Sequence, residues 1–191
     1  MPTAPSASYT EGDLKLTGDI PLDGGPDFAV AVGHGASTGL RGEIELAYRP
    51  SSWDKYENLN LTFEGDSIAS GDLEIGGDLE TISLMANGIV AFNASWGLRP
   101  YLGAGLGFAQ HDATEDAFTL TVAGNTHEFA SSSSDDTVIA WQVMLGLTYP
   151  VSHSAEARFG YRYFATSEAD FDGIKADYGS HNLELEMLCR L

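Results

Sequence analysis

The chain has 191 residues, 28 Asp+Glu against 9 Lys+Arg, a net charge of −19, 22 Gly and one Cys. The length suits a single domain over residues 1–191 with a flexible start at 1–8. The acid excess excludes nucleic acid as a partner, because nine cations cannot build a basic footprint, and Cys189 alone excludes an internal disulfide or a thiolate zinc cluster.

No run reaches the roughly 20 apolar residues of a spanning helix, whereas alternation of period two recurs along the chain. A weak strand is predicted at 9–18, with Asp13 and Lys15 on one face and Leu14 and Leu16 on the other. A second follows at 28–34. The clearest is 40–49, where Leu40, Gly42, Ile44, Leu46 and Tyr48 alternate with Arg41, Glu43, Glu45, Ala47 and Arg49. Further strands are predicted at 82–92, 100–108, 139–149, 157–163 and 183–191, eight in all. Short turns near 33–39, 93–97 and 150–154 alternate with long connections at 19–27, 50–78, 111–136 and 166–179. An up-and-down eight-stranded meander has this asymmetry when it is a transmembrane β-barrel, with short periplasmic turns and long extracellular loops.

Charge placement gives the orientation of the faces. Arg41, Arg49, Arg158, Arg162 and Arg190 share the polar faces of the strands with Glu43, Glu45, Glu156, Glu184, Glu186, Asn87 and Gln142. The other 23 acids lie almost wholly in connections, with Lys15, Lys55, Arg99 and Lys175 as the remaining cations. Matched charges confined to one face fit a narrow barrel interior that must neutralise them by pairing. The opposite face, with Ile44, Leu46, Leu102, Leu106, Trp141, Val143, Leu145, Phe159, Tyr161, Leu183 and Leu185, is then the lipid-facing one. Gly103, Gly105 and Gly107 give one strand a small-residue inner face, with room for the long Arg and Glu side chains opposite.

The stretch 40–49, Leu-Arg-Gly-Glu-Ile-Glu-Leu-Ala-Tyr-Arg after a Gly-Ala-Ser-Thr-Gly turn, together with Pro100-Tyr-Leu-Gly-Ala-Gly-Leu-Gly and the closing His181-Asn-Leu-Glu-Leu, resembles the small Opa/OmpA-like outer-membrane β-barrel proteins of Gram-negative bacteria, often called surface antigens or porin-like proteins. The resemblance covers residues 28–191. It implies an all-β, eight-stranded antiparallel barrel in the outer membrane, contact with its lipid, and insertion by the barrel assembly machinery; it brings no catalytic residues. Members usually end in an aromatic residue, where this chain has Leu191. The opening Met-Pro-Thr-Ala-Pro-Ser lacks the basic and apolar regions of a leader, which fits a cytosolic chain or a mature form; the resemblance implies the mature form.

Other chemistry is thin. His34, His111, His127, His153 and His181 are scattered without metal-ligand spacing. The pair His153 and Ser154 sits in a short turn, where Ser and His are common without catalysis. Residues 170–174 match only part of a calcium loop, without its downstream Glu. Glu64, Asp66, Asp72, Glu74, Asp78 and Glu80 read as a solvated acidic loop that could take a protein or loosely held divalent cation as partner, and Ser131 to Ser134 as a flexible tip. No cofactor, metal or catalytic residue is predicted. The functional expectation is a structural, surface-exposed barrel plugged by Arg/Glu pairs. The alternatives are a narrow porin for small solutes and a soluble β-barrel holding a small apolar ligand.

Overall fold

A computed structural model describes residues 2–3, 6–35, 39–94, 97–122, 125–152, 154–171 and 174–189. Among them the secondary structure is entirely β. The first strands are β1 (Pro2–Thr3), β2 (Ser6–Glu11), β3 (Leu14–Asp19), β4 (Asp23–Gly24), β5 (Phe28–Gly35) and β6 (Gly39–Trp53). They are followed by β7 (Tyr56–Phe63), β8 (Asp66–Leu73), β9 (Gly77–Ala91), β10 (Arg99–Glu115), β11 (Phe118–Val122) and β12 (Asn125–Phe129). The last are β13 (Ser132–Pro150), β14 (Ala155–Thr166), β15 (Ala169–Phe171), β16 (Ile174–Ala176) and β17 (Gly179–Cys189).

The main sheet is an antiparallel meander in the order β17, β14, β13, β10, β9, β6, with β5 on β6 and the short β1 and β4 appended at its ends. Long strands that follow one another in the chain are neighbours, whether a short turn or a long connection joins them. Burial alternates along them, most regularly on β9, where Gly77, Leu79, Thr81, Ser83, Met85, Asn87 and Ile89 are buried while the residues between them are exposed. Alternation in the sequence thus becomes a concave face and a convex face.

Three features differ from the expectation. Residues 9–18 form no long strand of this sheet: Gly12, at φ 61°, turns the chain between β2 and β3, and β3 pairs with β7 in a second sheet. Leu14 and Leu16 pair there with Phe63 and Leu61, which is where the short apolar face of this segment goes. The long connections are also not irregular. They carry the hairpins β7–β8, β11–β12 and β15–β16, and the first closes through Glu64 and Gly65, both at positive φ as a tight hairpin turn demands. Finally, Ser132 to Ser134 belong to the far end of β13, paired with β10.

The concave face is layered. Towards the long-loop end lies an apolar cluster of Leu22, Trp53, Leu79, Met85, Ala109, Val138, Ala140, Phe164, Ala169 and Tyr178. Towards the short-turn end lies a smaller one, Ile89, Tyr101 and Met144. Strand register sets Asn87 and Gln142 between the two, both beside Gly105.

Candidate functional site: the interior charge network

Glu45 on β6 is the centre of the polar layer. Arg162 on β14 donates to both of its carboxylate oxygens, through Nη1 to Oε1 and through Nη2 to Oε2 at 2.9 Å. Asn87 Nδ2 donates to Oε2 at 3.2 Å, and Gln142 Nε2 to Oε1 at 3.4 Å. Gln142 also donates to Asn87 Oδ1 at 2.7 Å and accepts from Arg162 Nη1 at 3.1 Å. Arg162 Nε lies 2.6 Å from Glu184 Oε1, and its Nη2 lies 3.6 Å from Glu186 Oε1. Its side chain is only 2 % exposed, so each charge it meets offsets a desolvation that would otherwise be several kcal/mol.

Arg158 extends the network towards the short turns. It reaches Glu43 at 3.2 Å and Glu186 at 2.8 Å, with its guanidinium over the Tyr101 ring at 4.9 Å. Glu43 also meets Arg41 at 2.5 Å. Towards the long loops, Arg49 donates to Ser83 Oγ at 2.7 Å, lies 3.6 Å from Asp27 and 3.8 Å from Glu45, and stacks 4.1 Å from the Phe164 ring centroid.

These contacts join β6 to β14, strands separated in the sheet by β9, β10 and β13. A flat sheet would hold them more than ten ångströms apart, since neighbouring strands are spaced by about 4.8 Å. Their side chains meet only because the sheet curls round a common interior.

Arg99, counted from the sequence among the cations off the wall, is part of this interior: its Nη2 donates to Glu156 Oε1 at 2.6 Å near the short turns. It sits at the first residue of β10, too near a predicted strand end for alternation to assign a face. Arg190 lies outside the described residues. Two participants carried no sequence signal: Asp27 precedes its strand, and Ser83 is one small polar residue among many. Tyr101 and Phe164, whose rings lie against Arg158 and Arg49, could have been found by extending the parity of the charged positions.

The glycines also have a specific use. A side chain at Gly105 would collide with Asn87 Oδ1, and one at Gly160 with the Tyr101 hydroxyl. The room they leave is taken by an amide and a phenol, while the long charged side chains lie elsewhere.

On the convex face Ile44, Leu46, Leu102, Leu106, Trp141, Val143, Leu145, Phe159, Leu183 and Leu185 are exposed, Leu106 at 67 % and Leu185 at 82 %. Tyr161 is partly covered, its hydroxyl 2.5 Å from His181 Nδ1. Tyr163 joins them, its ring 4.8 Å from His181 and 5.3 Å from Trp141 between centroids. A continuous apolar surface of this size is incompatible with water on that side.

A family model described as "Outer membrane protein beta-barrel domain" matches residues 1–186. Comparison with curated proteins gives no match. Among solved structures, that of Neisserial surface protein A is similar at 19 % identity with a TM-score of 0.52, covering 100 % of this chain and 94 % of that one, a likeness of fold. The soluble alternative is thereby set aside, and the barrel as a whole has a membrane as its environment. The chain belongs to the outer-membrane β-barrel family, an all-β antiparallel barrel of the bacterial outer membrane.

Proposed function

We propose that the protein is a structural, surface-exposed outer-membrane barrel without catalytic activity, its lumen plugged by the Arg/Glu network and its acidic loops carrying any partner specificity. The observation that supports this best is Arg162, which spans the interior from β14 to Glu45 on β6 while also meeting Glu184 and Glu186 on β17. Interior cross-links of this kind fill the narrow space that an eight-strand barrel encloses. In this reading Ile44, Leu46, Leu106 and their neighbours contact lipid tails, the assembly machinery inserts the chain, and loop acids such as Glu64, Asp66 and Glu74 hold divalent cations loosely. The experiment is electrophoresis with and without heating, followed by planar-bilayer recording. A folded plugged barrel migrates faster unheated than heated and is electrically silent.

A narrow pore for small solutes is the second reading. Discrete single-channel steps would decide for it and against the plug.

A further inference from the structure

Above the polar layer, where the upper apolar cluster meets the loop hairpins, lies a cavity of about 160 Å³. Its inner part is formed by Leu22 and Leu79, both buried, with Ile20 beside them. Three aromatic residues, Trp53, Tyr56 and Tyr178, form part of the wall. Trp53 and Tyr56 stand edge to face with centroids 6.4 Å apart, so the two rings meet the cavity wall in different orientations.

The acidic groups at this site have no basic counterpart along its wall, and Ser132 and Ser134 add neutral hydroxyls. Glu115 and Asp177 line it, and Glu115 accepts a hydrogen bond from the Tyr56 hydroxyl. Among the described residues no lysine or arginine lines it. His111 reaches its edge with both ring nitrogens engaged, Nδ1 with Thr81 at 2.8 Å and Nε2 with Thr166 at 3.3 Å. An apolar body would gain from Leu22 and Leu79, and a positive charge would gain both from carboxylates and from aromatic faces. An anion would be repelled by both carboxylates, and the net charge of −19 favours cations over anions near the protein.

Size narrows the class. An apolar cavity of about 150 Å³ accommodates a molecule such as benzene, so the body can be little larger than one ring.

We propose that this cavity binds a small organic ammonium ion, its apolar body against Leu22 and Leu79 and its charge held between Glu115 and the faces of Trp53, Tyr56 and Tyr178. The site is distinct from the interior ion pairs and does not depend on whether the lumen conducts.

The test is calorimetric titration of the folded protein with benzylamine, protonated at pH 7, and with benzyl alcohol, its neutral counterpart of the same size. Maltoside micelles are needed, because choline headgroups would compete. Saturable one-to-one binding of benzylamine is expected, at least about tenfold weaker for the alcohol and for the E115Q variant, since each removes one charge of the pair. Glutamine keeps an acceptor for Tyr56, and heat-modifiable migration checks that the variant is folded. Should E115Q not fold, the two ligands on the unaltered protein still decide. Equal binding of amine and alcohol, unchanged amine binding by folded E115Q, or no saturable binding of benzylamine overturns the proposal.

Discussion

Arg162 and Glu45 stand 117 positions apart in the chain and on strands with three others between them in the sheet, yet they form a two-point hydrogen-bonded ion pair in the interior, Nη1 to Oε1 and Nη2 to Oε2. Planar guanidinium and carboxylate groups match in this geometry, which fixes orientation as well as distance.

Removing one member of that pair leaves a buried charge without its partner. Arg162→Met is expected to destabilise the barrel by about 3–5 kcal/mol. The double variant Arg162→Met/Glu45→Gln should recover part of this, because one of the carboxylates that Arg162 neutralised is gone while Glu184 and Glu186 keep theirs. Urea titrations of the single and double variants in phospholipid vesicles measure the coupling, and strict additivity would contradict it.

A second test concerns the convex face. Leu106 points outward at the middle of β10, while Gln110, one turn of the pleat beyond Phe108, is at the end of the apolar band. Leu106→Arg should cost about 2–4 kcal/mol and Gln110→Arg about 1 kcal/mol or less, the depth dependence that a lipid bilayer imposes. The same vesicle titration reads both, and equal costs would mean that no bilayer gradient crosses this face.

The glycine at position 160 gives a steric test. Its missing side chain leaves space for the Tyr101 hydroxyl. Gly160→Ala should cost about 1–3 kcal/mol through overpacking. Adding Tyr101→Phe removes the colliding atom and should restore part of the loss, measured as the shift in the temperature at which unheated mobility disappears.

Alkaline pH should loosen the loop end. Burial first, then the hydrogen bond to Glu115, raises the Tyr56 phenol above its ordinary value; burial does the same for Tyr178. The unfolded chain loses these protons near pH 10 and the folded one only at higher pH. Their contribution is therefore complete below pH 10 and falls as pH rises beyond it. Tyrosinate absorbance at 295 nm, followed together with cavity ligand binding, should show delayed ionisation that Tyr56→Phe reduces.

The alternation at 40–49 specifies both a strand and the side each residue takes, because side chains on a strand alternate whatever lies around it. Arg41, Glu43, Glu45 and Arg49 share a side for that reason alone. The segment 9–18 shows where the reasoning stops: its alternation is equally good in either sheet, and pairing with β7 rather than a place in the main sheet is a choice among distant partners. Arg99 is similar, since a residue at a strand end has no parity until pairing fixes the end.

Composition and alternation by themselves determined an all-β chain with acids in the connections and charges of both signs on one face. Only the tertiary structure decided that Glu45 takes Arg162, that Glu156 takes Arg99, and that Trp53, Tyr56 and Tyr178 gather round one cavity at the loop end. The physical reason is range. Parity follows from the geometry of two neighbouring residues, whereas partners across an interior depend on register and curl accumulated over every strand between them.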